Sequence, residues 1–235
     1  GTTHLLTAAK NANISRVIYT SSVAAVGSLP KGREKNEDDW QTLRSSPYTV
    51  AKTESERLAW TLAEKHQLDL RVINPGGVLG GGFVEPTPSV DYFPDAMAGK
   101  FPVAPKIPIP IVHVRDVAIA HRRAFEVEEA EGRFIVAPHK NKTIADVCRT
   151  IREIYPNTKS PRYAIPRSLM FIVVFQDWLM GMFGAKRRMT RKAVKGYFRG
   201  DANLSSQKAT EVLGIEWESF ETCIKDTVEA FNSEP

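Results

Sequence analysis

A chain of 235 residues can bury a full hydrophobic core, as one large domain or as one domain with a smaller lobe. Its 42% apolar and 25% charged residues exclude a disordered, collagenous or low-complexity chain, and no internal repeat is present. The net charge of +5 is local: residues 178–200 carry seven basic side chains and no acidic one, so the remainder sums to 5 − 7 = −2, and nucleic acid is not an expected partner.

Residues 2–12 predict a helix with Leu5, Leu6, Ala8 and Ala9 on one side. The opening "GTTHLLTAAK" has neither the basic start nor the apolar stretch of a signal peptide, so the expectation is that further sequence precedes it. "RVIYTSS" (16–22), rich in β-branched and aromatic residues, predicts a buried strand, and "SLPKGREKNEDDW" a polar loop. A long helix is expected from Pro47 to His66, with proline in its first turn. "DLRVINP" predicts a second buried strand, stopped by Pro75 and the glycines of "NPGGVLGG". Strand, helix, strand with short connections defines a βαβ unit, hence a parallel sheet and an α/β fold.

Beyond it, a glycine- and proline-rich stretch with a short helix near 90–98 leads to the strand "IPIVHV" and the helix "RDVAIAHRRAFE", with Asp116 in its first turn. "GRFIVAP" predicts another strand, and "TIADVCRTIREIY" a helix in which Thr143 and Asp146 have capping-box spacing. Helices are expected over about 167–183, 190–198, 205–213 and 217–231. Residues 168–183 are apolar but number only 16 and include Gln176 and Asp177, short of the roughly 20 residues of a membrane span. A lobe helix is one reading. An amphipathic helix lying on a membrane surface, with the basic run behind it (168–199), is the other.

Cys148 and Cys223 have no CxxC or Cys/His spacing, so they are read as buried thiols in a reducing cytoplasm. His4, His66, His113, His121 and His139 show no ligand spacing, so no metal site is argued.

The chemistry concentrates in "SSPYTVAKTESER" (45–57), where Tyr48 and Lys52 stand four apart and so share a helix face. A phenol of pKa about 10 is a poor acid or base at neutral pH, and lowering it by about 3 units takes about 4 kcal/mol. A neighbouring ammonium in a partly desolvated cleft supplies most of that. Such a pair is usually only a solvated helix face. Here, however, strand "RVIYTSS" ends in hydroxyls, and parallel sheets bind ligands beyond the carboxyl ends of their strands. Ser22 is thus placed to hold a carbonyl or alcohol oxygen within reach of the phenol. Gly76 and Gly77, ending the next strand, let a backbone approach a flat ligand closely.

The stretches "GTTHLLTAAKNANISRVIYTSSVAAVG", "SPYTVAKTESERLA", "LRVINPGGVLG" and "IVHVRDVAIAHRRAFE", in that order from residue 1 to about 137, resemble the extended short-chain dehydrogenase/reductase family, within the NAD-dependent epimerase/dehydratase superfamily. The similarity is to its dihydroflavonol reductase-like, cinnamoyl-CoA reductase-like and 3β-hydroxysteroid dehydrogenase-like branch, and is looser in the tail. The resemblance implies the C-terminal half of a Rossmann-type parallel sheet over residues 1–80, with 110–130 contributing, and a smaller, mainly helical substrate lobe over 81–235. It implies catalytic Ser22, Tyr48 and Lys52. Around an NAD or NADP it implies Tyr48, Lys52, Thr20, Asn74, Pro75, Gly76 and Val78. Asp116 is implied to be structural and a homodimer is expected by analogy.

The family's GxxGxxG turn, which cradles the pyrophosphate, does not occur here; "GGVLGGG" follows the wrong strand. The chain therefore carries the proton-transfer half of a site without the cofactor-clamping half, and by itself is expected to bind nucleotide poorly and turn over nothing. The leading expectation is an NAD(P)-dependent oxidoreductase acting on a carbonyl/alcohol pair of a small, apolar substrate. A nucleotide-sugar epimerase or dehydratase is the alternative, its basic residues 186–199 gripping a diphosphate. A non-catalytic dinucleotide-sensing regulator is disfavoured by the intact Ser22, Tyr48 and Lys52.

Overall fold

The computed structural model describes residues 1–44, 46–182 and 201–233. The expected helix at 190–198 and most of the basic run lie outside the described residues.

The chain opens with α1 (Thr2–Asn11) and β1 (Arg16–Thr20), then a single helical turn, α2 (Val23–Val26), that hydropathy had not indicated. The long helix α3 (Pro47–His66) and strand β2 (Asp69–Pro75) follow. Both have the bounds their sequence signals predict. Ser46 caps α3 by accepting from Thr49 N at 3.1 Å, and Pro47 occupies the first turn, where its missing N–H costs nothing.

Strands β1, β2 and β6 (Gly132–Val136) form one parallel sheet in the order β1-β2-β6. Arg16 pairs with Asp69 and Thr20 with Ile73, while Arg71 pairs with Gly132 and Pro75 with Val136. The two-residue alternation of a strand then sorts the side chains. Leu70 and Val72 pack with Leu6, Ala59 and Ala63 of α1 and α3 on one face. Ile73, Phe134 and Val136 pack on the other face against Ala120 and Ala124 of α5 (Val114–Glu126) and Ala209 and Leu213 of α8 (Gln207–Leu213). Helices on both faces of a parallel sheet make an α/β arrangement, as expected. The third strand of this sheet comes from residues 132–136, beyond the stretches expected to build it.

The remaining elements form a second core. β3 (Gly77–Leu79) pairs in parallel with β5 (Ile111–His113), and β4 (Ala104–Pro105) with β7 (Ala164–Ile165). Two- and three-residue strands are too short to show a period, so β3, β4 and β7 escape sequence reading. Around them pack α4 (Phe93–Met97), α6 (Ile144–Ile154) and α9 (Phe220–Asn232), burying Leu79, Phe93, Ile111, Val147, Ile151 and Ile224. The capping box of Thr143 and Asp146 forms as its spacing predicts. A 3-10 turn at Arg167–Leu169 leads into α7 (Met170–Met182). Cys148 and Cys223 are buried free thiols, and burial pushes that of Cys223 up to about 12.

One long-range clamp ties the loop after α2 to the segment before α8. Lys35 is fully buried (0% exposed) and pairs with Asp201. Its backbone exchanges bonds with Asn203 O at 3.0 Å and Ser205 N at 2.8 Å, and Gly32 N donates to Asp201 at 2.8 Å. Burial would raise the Asp201 pKa, but the Lys35 ammonium and the Gly32 and Asn203 amides outweigh it and hold the carboxyl below its ordinary range. A depressed carboxylate contributes stability that is complete above the unfolded value and fades as pH falls through the folded one. Urea midpoints measured from pH 6 downward are therefore expected to begin falling near about pH 4. Asp201→Asn, already lacking that contribution, is expected to start lower and show a shallower acid slope.

Candidate active site

Tyr48, Lys52 and Glu56 succeed one another at four-residue steps on α3. Each step advances about 40° around the helix, because ~3.6 residues complete a turn. The stripe therefore rotates inward as it descends: Tyr48 is 58% exposed, Lys52 half-buried and Glu56 0% exposed. A single helix thus carries groups from solvent to the underside of the sheet.

The Glu56 carboxylate has three side-chain donors from three strands or their ends. Ser21 Oγ and Asn74 Nδ2 (2.8 Å) donate to Oε2, and Arg133 Nε donates to Oε1 at 2.6 Å. Parity explains the meeting: Ser21 continues the Val17 and Tyr19 alternation, Asn74 that of Leu70 and Val72, and all point to the α3 side. Arg133 donates onward to Glu37 O at 2.7 Å and Asp39 O at 2.6 Å, and its guanidinium stacks over Trp40 at 4.1 Å. Glu37 accepts from Ile135 N at 3.0 Å, and burial raises its pKa.

This network fixes the turn that carries Ser22. Asn74 Nδ2 also donates to Ser22 O at 3.1 Å, and Lys52 Nζ to Ser21 O at 3.4 Å, so both carbonyls of the turn are held. Ser22 then caps α2, its Oγ accepting from Ala24 N at 3.1 Å, which leaves its hydroxyl proton available. The Tyr48 hydroxyl has no hydrogen-bond partner among the described residues. Two of the three Lys52 protons are likewise unspent.

The structure thus brings Lys52, Ser22 and Asn74 into one bonded group, with Tyr48 one turn above. Thr20 stands apart: its parity sends it to the α5 face, where Oγ1 lies 2.7 Å from His121 Nε2. Pro75 ends β2 beside Val136, and Val78 packs with the core beneath α5. Gly76 has a reason within the chain for lacking a side chain, because an added Cβ would stand 2.6 Å from Pro110 O. His113 is buried, capping α5 by accepting from Arg115 N at 3.1 Å. Asp116 is buried and accepts from Glu218 N at 3.2 Å. Sequence reading missed Ser21, Glu56 and Arg133. Continuing the four-residue step past Lys52 reaches Glu56, and an arginine inside the apolar strand "GRFIVAP" asks for a buried anion.

The groups present fit a nicotinamide dinucleotide at this edge. The Tyr48 hydroxyl and the Lys52 ammonium hold unspent donors, and Asn74 Oδ1 is buried without a partner.

Comparison with known proteins gives this arrangement its class. Residues 1–137 match the NAD dependent epimerase/dehydratase family, and the chain belongs to it. The chain is 28% identical over 241 residues to cinnamoyl-CoA reductase 2 of Medicago truncatula, covering 97% of this chain and 62% of that protein. Among solved structures it resembles gox2253, with TM-score 0.80 and 27% identity over 98% of this chain and 70% of that one. It also superposes on the yeast methylglyoxal/isovaleraldehyde reductase Gre2, solved with NADPH, at TM-score 0.74 and 23% identity, covering 97% and 68%. That last likeness is one of fold, a partial Rossmann-type domain with its lobe. The chain spans less than two thirds of the length of the cinnamoyl-CoA reductase it matches.

Glu56→Ala leaves Arg133 buried without its anion, and a loss of about 3–5 kcal/mol is expected in equilibrium urea unfolding. A stability within 1 kcal/mol of the parent would show that the network is not a constraint. For Gly76→Ala, the clash with a backbone carbonyl is expected to cost about 1–3 kcal/mol, read as a lowered denaturation midpoint.

Proposed function

We propose that this chain is part of an NAD(P)-dependent oxidoreductase that interconverts a carbonyl and an alcohol on a small, apolar substrate. The observation that carries the reading is the descending stripe of Tyr48, Lys52 and Glu56, whose buried end holds the Ser21–Ser22 turn. In this reading Ser22 donates its free proton to the substrate oxygen and orients it. Tyr48, exposed and unpartnered, gives that oxygen a proton during reduction and takes it back during oxidation. Lys52 stabilises the phenolate left behind and bonds a ribose hydroxyl with a remaining proton. A bound nicotinamide supplies or accepts the hydride. Asn74 acts from beneath, holding Ser22, and Gly76, between the buried Pro75 and the core-packed Val78, brings backbone to the edge beside it. Thr20 would reach the cofactor only from the α5 side of β1.

The family name covers a second reading, a nucleotide-sugar epimerase or dehydratase using the same three side chains. The two differ in the substrate that is turned over, not in the roles of Ser22, Tyr48 and Lys52. The proposal divides the chain into the sheet, built by residues 1–80 with the α5 region and β6, and a lobe drawn mainly from the rest of 81–235. It includes a cytoplasmic location, pairing into a homodimer and peripheral contact with a membrane through 168–199. The exposed apolar residues of α7 support the last of these.

The test needs the protein with its complete nucleotide-binding half. There Tyr48→Phe is expected to lower kcat by about 10²–10⁴, while the cofactor Kd changes less than about threefold. Turnover retained by Tyr48→Phe would remove the proton-transfer assignment.

A further inference from the structure

Helix α7 turns a row of large apolar side chains to solvent. Phe171, Phe175, Trp178 and Met182 follow at steps of four, three and four, which makes one stripe, and Ile172 and Leu179 lie beside it. All six are between 42% and 65% exposed. The rings of Phe175 and Trp178 stand 5.8 Å apart, while Val174 is buried. A contiguous apolar surface rich in aromatic rings marks an interaction face. No helix among the described residues is long and apolar enough to cross a membrane.

Positive charge flanks this helix on both sides along the chain. Ahead of it, a cleft of about 410 Å³ opens beside the β4–β7 ladder, lined by Lys106, Arg149, Arg152, Arg162 and Tyr163. Arg149 is engaged by Asp146 at 2.8 Å, and Arg152 donates to the carbonyls of Cys148 (3.1 Å) and Pro161. Lys106 and Arg162 have exposed side chains with no partner among the described residues. From Tyr163 to Met170 the chain can span no more than about 25 Å, which bounds the distance from the cleft to the start of α7. Behind the helix, the sequence from 178 to 200 adds seven basic residues and no acidic one.

We propose that α7 lies in the plane of an anionic lipid surface, its aromatic stripe among the acyl chains and Lys106 and Arg162 on phosphate-bearing headgroups. The inference rests on the membrane contact proposed above and names the lipid that contact requires. An apolar helix face bounded by cations has the distribution that interfacial helices use, with hydrophobic burial supplying affinity and charge selecting anionic lipid. A second copy of this chain is a poor occupant. A two-fold contact through this face would set each copy's cationic flanks near the other's.

The test is flotation of the protein with its complete nucleotide-binding half, using vesicles of phosphatidylcholine alone, or containing phosphatidylserine at about 30 mole per cent. Binding to the anionic vesicles is expected to exceed binding to the neutral ones at least tenfold, and to weaken as salt rises. Phe171→Asp with Phe175→Asp, and separately Lys106→Glu with Arg162→Glu, are each expected to lower it about tenfold with the far-UV circular dichroism unchanged. Binding to neither vesicle would remove the membrane contact itself. Equal binding to both would keep the contact and overturn the anionic headgroup. Full binding by the folded phenylalanine variant would overturn the role of α7. A dimer that sediments as such and is split by that variant would assign the face to a second copy.

Discussion

A carboxylate with no exposed surface is the constraint around which the candidate site is built. Stripping Glu56 of water would be prohibitive without compensation, and the compensation comes from Ser21, Asn74 and Arg133 at hydrogen-bonding distance. These donors belong to β1's exit, β2 and β6, so satisfying one charge sets the position of α3 against the whole sheet. The helix then has no freedom to rotate. Lys52 must reach the Ser21 carbonyl and Tyr48 must stand one turn above it, at the solvent rim.

The arrangement separates a rigid underside from an available upper side. Below, Arg133 is bonded to Glu56 and two carbonyls and Asn74 to Glu56 and Ser22, with Asn74 Oδ1 and Arg133 Nη2 left without a partner among the described residues. Above, the Tyr48 hydroxyl, the Ser22 proton and part of the Lys52 ammonium are free to meet a ligand. Preorganised groups in a fixed frame are what proton transfer requires, since they need no rearrangement as charge develops.

The lobe follows a different logic. Its core joins short parallel ladders to α6 and α9 and buries Phe93, Val147 and Ile151, while α7 keeps its rings outside. The clamp of Lys35 on Asp201 joins the loop after α2 to the segment that precedes α8.

Much of this was legible in the residues themselves. The start of α3 follows from a first-turn proline. The bounds of β2 follow from an apolar run stopped by Pro75, and the Tyr48–Lys52 pair follows from helical period alone. These are local rules, which depend on near neighbours along the chain. The partners of Glu56 lie 18, 35 and 77 positions away, and Thr20 and Ser21, adjacent in sequence, serve opposite faces of the sheet. Which glycine makes room for a distant carbonyl, which three-residue segments pair, and which charges meet in the interior are set by strand register and long-range packing. No local pattern encodes those, because the energy of a buried charge depends on donors that only folding brings to it.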